Sequence, residues 1–166
     1  MASTESNTPP TASDPQSIKD EYYLSLALAE ARQGYIAEGG IPIGAVLVAA
    51  DGTILGRGHN RRAQQGSAIL HAEMDALERA GRLPGSRYKG ATMYSTLSPC
   101  DMCTGACLLY GIGRVVMGEN RTFKGGEDYM RQRGVEVINH DNSECYALMK
   151  EFIEKHPEMW NEDIGI

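Results

Sequence analysis

The chain has 166 residues, 42% of them hydrophobic and 23% charged, which matches one ordinary globular domain able to bury roughly 70% of its unfolded surface. Its 16 Lys and Arg against 22 Asp and Glu leave a net charge of −6, which disfavours nucleic acid and anionic membranes as partners, because their phosphates are gripped by cationic faces. The longest apolar run, 45–50, is strand-sized and far short of the about 18 residues of a membrane span.

Residues 1–17, MASTESNTPPTASDPQS, hold no Lys or Arg and no apolar core, so they lack the charged start and h-region of an export signal. Their Pro, Ser and Thr content cannot offset the entropy of ordering, which predicts a disordered tail over 1–17 and one domain over 18–166. The expected compartment is the cytoplasm, or cytoplasm and nucleus together. Reduced cysteines are then the rule, and Cys100, Cys103 and Cys107, within eight residues, point to a metal or a redox site rather than to disulfides.

Over 18–35, Leu24, Leu28, Ala31 and Tyr35 recur at helical spacing while Lys19, Asp20, Glu30 and Arg32 fall mostly opposite, predicting an amphipathic helix. Gly39-Gly40 breaks it. Apolar segments at 43–48 and 53–58 flank Asp51-Gly52, a hairpin signal. Ser67 is placed to cap a helix over 68–80, with Gly81 as its stop. A strand over 92–97 follows. Ser98-Pro99 then switches the chain into a helix, Ser98 at the cap, Pro99 in the first turn and Asp101 completing a capping box; that helix carries the three clustered cysteines and ends by Gly111. Strands at 114–117 and 135–138 and a helix over 145–155 complete the pattern. A hairpin followed by strand-helix alternation predicts a three-layer α/β/α sandwich around a mixed, mostly parallel five-stranded sheet whose first strand is antiparallel.

Pro99-Cys100-Asp101-Met102-Cys103 puts two sulfurs on one helical face, in the first turn, where the helix dipole favours the thiolate that binds zinc. A lone CxxC equally fits a thioredoxin-like redox pair. The other half of the constellation is His71-Ala72-Glu73 at the start of the preceding helix. Alone, such a histidine is more often a packed residue than a ligand. Two successive strand-to-helix transitions, however, put both helix starts at one sheet edge, where open α/β sheets place their sites. His71, Cys100 and Cys103 suit tetrahedral zinc and leave the fourth position to water, as catalytic sites do. Cys107 lies a turn deeper beside Leu108 and Leu109 and reads as core; Cys145 is on a distant helix. Glu73 is the nearest group able to take the proton of a zinc-activated water.

His71-x-Glu73 followed by Pro99-Cys-x-x-Cys103 resembles the signature of the zinc-dependent nucleobase and nucleoside deaminases. Within that group the chain resembles the fungal-type cytosine deaminases, through Gly39-Gly-Ile-Pro-Ile-Gly44, Leu55-Gly-Arg-Gly-His-Asn60, Gly66-Ser-Ala-Ile-Leu-His-Ala-Glu73, Thr96-Leu-Ser-Pro-Cys-Asp-Met-Cys-Thr-Gly105 and Glu162-Asp-Ile-Gly165. It departs at Ala72, where the yeast-type enzymes carry glycine. The resemblance implies attack of zinc-activated water on C4 of cytosine, giving uracil and ammonia in pyrimidine salvage, with 5-fluorocytosine as a further substrate. It implies one Zn2+ per chain with water or hydroxide as fourth ligand, and Glu73 as proton shuttle. It assigns Asn60 to N1–H and O2 of the base, Asp163 to the exocyclic amine, and Trp160 and Phe123 to closing over the ring. Ser98 would act through its carbonyl, Ala72 through its amide and Ile43 beneath the ring. The resemblance also implies a homodimer, for which the Cys107-Leu-Leu-Tyr110 helix end supplies apolar surface.

Three other readings stay open. Deaminases that act on adenosine in tRNA share the zinc signature but want a cationic RNA surface. Cytidine deaminases must hold a ribose, which an occluding C-terminal segment excludes. A structural zinc or redox module has to explain Glu73 beside three ligands.

Overall fold

The computed structural model describes residues 8–166. Residues 1–7 of the expected tail lie outside them, and the later part of that segment, from Thr11, carries local structure. The Thr11 amide and hydroxyl both donate to Asp14 Oδ2, at 2.6 and 2.9 Å, and Gln16 and Ser17 already belong to the first helix. Helix α1 (Gln16–Arg32) runs into a π-helical turn, Gln33–Ala37, before the Gly39-Gly40 break. There follow β1 (Gly44–Val48), β2 (Ile54–His59), α2 (Arg62–Gln65), α3 (Ala72–Ala80), α4 (Gly85–Tyr88), β3 (Thr92–Leu97) and α5 (Asp101–Leu109). The chain closes with β4 (Arg114–Glu119), α6 (Glu127–Gln132), β5 (Glu136–Asn139), α7 (Ser143–Lys155) and α8 (Pro157–Asp163). No helix of the described residues is long and apolar enough to cross a membrane.

The strand order is β2-β1-β3-β4-β5, with β1 antiparallel to both neighbours and β3, β4 and β5 parallel. The fold expected from the sequence is the one observed. Period-2 alternation divides the strands between two cores. Val46, Val48, Tyr94 and Val116 pack on Tyr23, Leu24 and Ala27 of α1. Ala45, Leu47, Met93 and Val115 point to the other face, with Ala72 and Ala76 of α3 and Cys107 of α5. Helix α3 lies directly on β2, because a Cβ at Gly56 would sit 2.1 Å from the Ala76 carbonyl oxygen. This close approach carries the start of α3 to the sheet edge.

Three local expectations need correction. Ser67 does not cap α3: its hydroxyl accepts from the amides of Ile69 and Leu70, both at 3.2 Å, in a turn, and the helix begins at Ala72 with His71 as N-cap. Ser98 does not cap α5 either; Cys100 is the N-cap, and the Ser98 hydroxyl donates to Glu127 at 2.7 Å. Asp20, placed on the outer face of α1 by periodicity, is buried, where both its carboxylate oxygens hold Arg114 at 2.9 and 3.0 Å and one accepts from the Tyr94 hydroxyl at 2.8 Å. A salt bridge across 94 residues is invisible to a local pattern.

Candidate active site

The N-caps of α3 and α5 are His71 and Cys100 themselves. Both helices start at the sheet edge formed by the ends of β2 and β3, so the fold delivers one imidazole and, a turn along α5, a second thiol to one point. His71 Nδ1 lies 3.3 Å from Cys100 Sγ and 3.7 Å from Cys103 Sγ, and the three ligand atoms all fall within 4.8 Å of one another. Tetrahedral zinc, with Zn–S near 2.3 Å and Zn–N near 2.0 Å, sets such N and S atoms about 3.5 Å apart. The set fits zinc. The far ring nitrogen is also accounted for: Nε2–H donates to the Asp163 carbonyl at 3.1 Å, which fixes Nδ1 as the metal-facing atom. The Cys100 thiol is pulled down to about 4, by the hydrogen bond from Cys103 first and by His71, against the opposing effect of burial. Cys107, fully buried, has its thiol pushed up by burial and belongs to the core, as expected.

Glu73, in the first turn of α3, is 4% exposed. Burial, reinforced by the negative charge on Cys100, raises its carboxyl above the usual range, and the Ser95 hydroxyl donates to Oε1 at 2.7 Å. Ser95 was missed in the sequence, where nothing sets it apart from the neighbouring hydroxyls of Thr92, Tyr94 and Thr96 in the same strand.

Ile43, His71, Glu73, Leu97, Ser98, Cys100, Phe123, Trp160, Asp163 and Ile164 line one cavity of about 280 Å³, counted to its mouth. Phe123 and Trp160 meet edge-on across it, with centroids 5.9 Å apart and planes at 85°. Three sequence-derived candidates stand outside this lining, the buried ligand candidate Cys103 among them. Ala72 is buried against the helix-sheet core. Asn60 is fully buried just behind the wall: its Nδ2 donates to Asp163 Oδ1 at 3.0 Å and its Oδ1 accepts from the Arg62 amide at 3.0 Å.

The helix bearing Trp160 and Asp163 was not anticipated, nor was the side chain that holds it. Arg62 grips both carboxylate oxygens of Glu162, at 2.7 and 2.8 Å, and reaches Asp163 Oδ1 at 3.1 Å and the Ala68 carbonyl at 3.0 Å. Asp163 is held below the ordinary carboxylate range: burial opposes this, and His71, Asn60 and Arg62 outweigh it.

Behind Asn60, the buried His59 donates from both ring nitrogens, to Glu30 and to Glu38, each at 2.9 Å. Its pKa is raised above 6.5, by the Glu30 hydrogen bond first, with burial opposing. Glu30 and Glu38 are lowered from 4.5, by His59 first. The pairing therefore stabilises fully between these two ordinary values; it is lost as pH rises through the raised His59 pKa, or falls through the lowered carboxyl pKa values. Thermal melts from about pH 6 to about pH 9 are expected to show a falling Tm in the wild type and a flatter profile in His59→Gln.

Residues 17–119 match the family model described as the cytidine and deoxycytidylate deaminase zinc-binding region. The chain is 58% identical over 146 residues to the cytosine deaminase of Candida albicans, a match covering 88% of this chain and 97% of that protein. It is 40% identical over 129 residues to a tRNA-specific adenosine deaminase of Streptococcus pyogenes, covering 76% of this chain and 80% of that one. A solved structure from studies of A-to-I editing by tRNA:A34 deaminases has a TM-score of 0.63 at 29% identity, over 77% of this chain and 99% of the other. The matched region contains all three ligand candidates and Glu73, and with that the chain belongs to the zinc-binding cytidine and deoxycytidylate deaminase family.

Proposed function

We propose that the chain deaminates the free base cytosine hydrolytically, giving uracil and ammonia in pyrimidine salvage, and that it also accepts 5-substituted cytosines such as 5-fluorocytosine. The observation that carries this reading is the cavity. It holds His71, Cys100 and Glu73, and Phe123 and Trp160 meet edge-on across it. The apolar side chains of Ile43 and Leu97 beside these two rings suit one planar base. The similarity to the Candida albicans cytosine deaminase supports the same substrate.

Zinc held by His71, Cys100 and Cys103 supplies a Lewis acid and brings the pKa of a water toward neutrality. The other steps belong to side chains. Glu73, its pKa raised by burial, takes one proton from the attacking water and gives it to N3, then takes the second from the new hydroxyl on C4 and passes it to the amino group, which leaves as ammonia. Ser95 occupies Oε1 and leaves Oε2 for that traffic. Asn60, just behind the wall, would meet N1–H and O2 of the base through its second acceptor lone pair and second donor hydrogen, the first of each being held by the Arg62 amide and by Asp163, while Asp163 stands by the exocyclic amine and favours an amino over a keto base. Ile43 supports the ring from below, Ser98 contributes its carbonyl and Ala72 its amide.

Ammonia release from the zinc-loaded protein, measured separately with cytosine, cytidine, adenine, guanine and tRNA, tests the assignment. Release from cytosine alone among these is expected. Release from tRNA in place of cytosine would replace this reading with the adenosine-editing one, despite the net charge of −6.

The same proposal covers a cytoplasmic homodimer, with one domain over 18–166. Leu109 and Tyr110, 77% and 42% exposed, end α5 beside a groove lined by Met74, Leu77, Leu83 and Tyr88. Sedimentation is expected to give twice the 18.1 kDa chain mass, and Leu109→Glu to return it to one chain mass.

A further inference from the structure

Two carboxylates outside the cavity wall are almost fully buried: Glu119 at the end of β4 is 0% exposed and Glu127 at the start of α6 is 1% exposed. Such burial is costly unless hydrogen bonds replace the lost water, and here the bonds go to segment 120–126 and to Ser98 beneath it. Glu119 accepts from the amides of Arg121 and Thr122, at 2.7 and 3.0 Å, and from the Thr122 hydroxyl. Glu127 accepts from the Ser98 hydroxyl at 2.7 Å and from the Asn120 amide at 3.2 and 3.3 Å. The Ser98 oxygen in turn accepts from the Gly125 amide, and the Gly126 amide donates to the Pro99 carbonyl, each at 3.0 Å. A Cβ at Gly125 would sit 1.8 Å from that carbonyl, so the segment lies flat on the turn that presents Cys100. At its centre stands Phe123, edge-on to Trp160.

We propose that Glu119 and Glu127 are positioning residues for the deamination, pinning both ends of segment 120–126 so that Phe123 forms a fixed wall of the base pocket. The proposal rests on the cytosine reading above. Neither carboxylate lines the cavity, so both act through Phe123 and Ser98. Replacing Glu127 by Gln turns one of its acceptor oxygens into a donor facing Asn120 or Ser98, which already donate there. The inner tether is lost with almost no change of volume.

The test is steady-state kinetics on cytosine for the wild type, Glu127→Gln, Phe123→Ala and the double variant, with zinc content and fluorescence of Trp160, the one tryptophan, recorded for each. Glu127→Gln is expected to raise KM about tenfold with kcat within about threefold, the pattern of lost uniform binding. It is also expected to keep its zinc and to shift the Trp160 emission. Beside Phe123→Ala the same substitution is expected to change KM by less than about twofold, because residues acting through one another are not additive. An equal KM effect in both backgrounds, or an unchanged KM and emission in the single variant, overturns the proposal. Asn120→Ala removes one donor to Glu127 and serves as the second variant if the first does not fold, with the same expectation. A wild type inactive on cytosine defeats the substrate reading instead, and the emission shift still decides whether Glu127 holds Phe123.

Discussion

Glu73→Gln is expected to lower kcat on cytosine by at least about 10²–10⁴-fold, the usual worth of a general acid-base group, while one zinc per chain stays bound. The substitution is nearly isosteric at a position 4% exposed, and an amide oxygen still accepts the Ser95 hydroxyl now bonded to Oε1. The ligand triad of His71, Cys100 and Cys103 is untouched. What disappears is a carboxyl whose pKa burial raises, a group suited both to take and to return a proton. Ammonia release and bound zinc measured on the same preparation read the two effects apart. Activity within tenfold of wild type, with zinc retained, would move the proton traffic to another residue. Loss of zinc together with activity would make Glu73 a part of the metal site rather than the shuttle.

The ligand set was legible because its chemistry is local: two thiols three residues apart on one helix, and a histidine and a carboxylate two apart on another. The sheet topology was legible too, since hairpin and strand-helix signals are short-range. What escaped depends on distant partners. Helix α8 has seven residues and begins at Pro157; too short for a periodic stripe, it is held by Arg62, some 100 residues earlier. Asp20 looked solvated because Arg114 could not be seen. The caps were misread for a different reason. Serine is a good cap in principle, but Ser67 and Ser98 hydrogen-bond elsewhere, and at both helices the cap position goes to a metal-ligand candidate. A propensity argument places the commonest cap; the site requires His71 and Cys100 to face one another.

Removal of one first ligand should separate the metal from its surroundings. Cys103→Ala is expected to weaken zinc binding by more than the about 10–100-fold that outer-shell changes cost, and ammonia release is expected to vanish with the metal. Cys103 is fully buried beside the other ligands, and native-state metal binding raises stability by mass action. The variant should therefore melt near the temperature of chelator-treated wild type, and a chelator should not lower it further. Asp163→Asn is the informative contrast. His71 Nε2 is nearer the Asp163 backbone carbonyl, at 3.1 Å, than its carboxylate oxygen, at 3.4 Å, and the carbonyl survives the substitution. Zinc should then stay bound, while kcat/KM on cytosine falls by about 10–100-fold, the cost of losing a hydrogen bond to a charged group. Metal analysis and kinetics on the two variants decide the assignment. A Cys103→Ala protein that keeps both zinc and activity would remove Cys103 from the ligand set, and an Asp163→Asn protein that loses its zinc would make the carboxylate, not the carbonyl, the partner that orients His71.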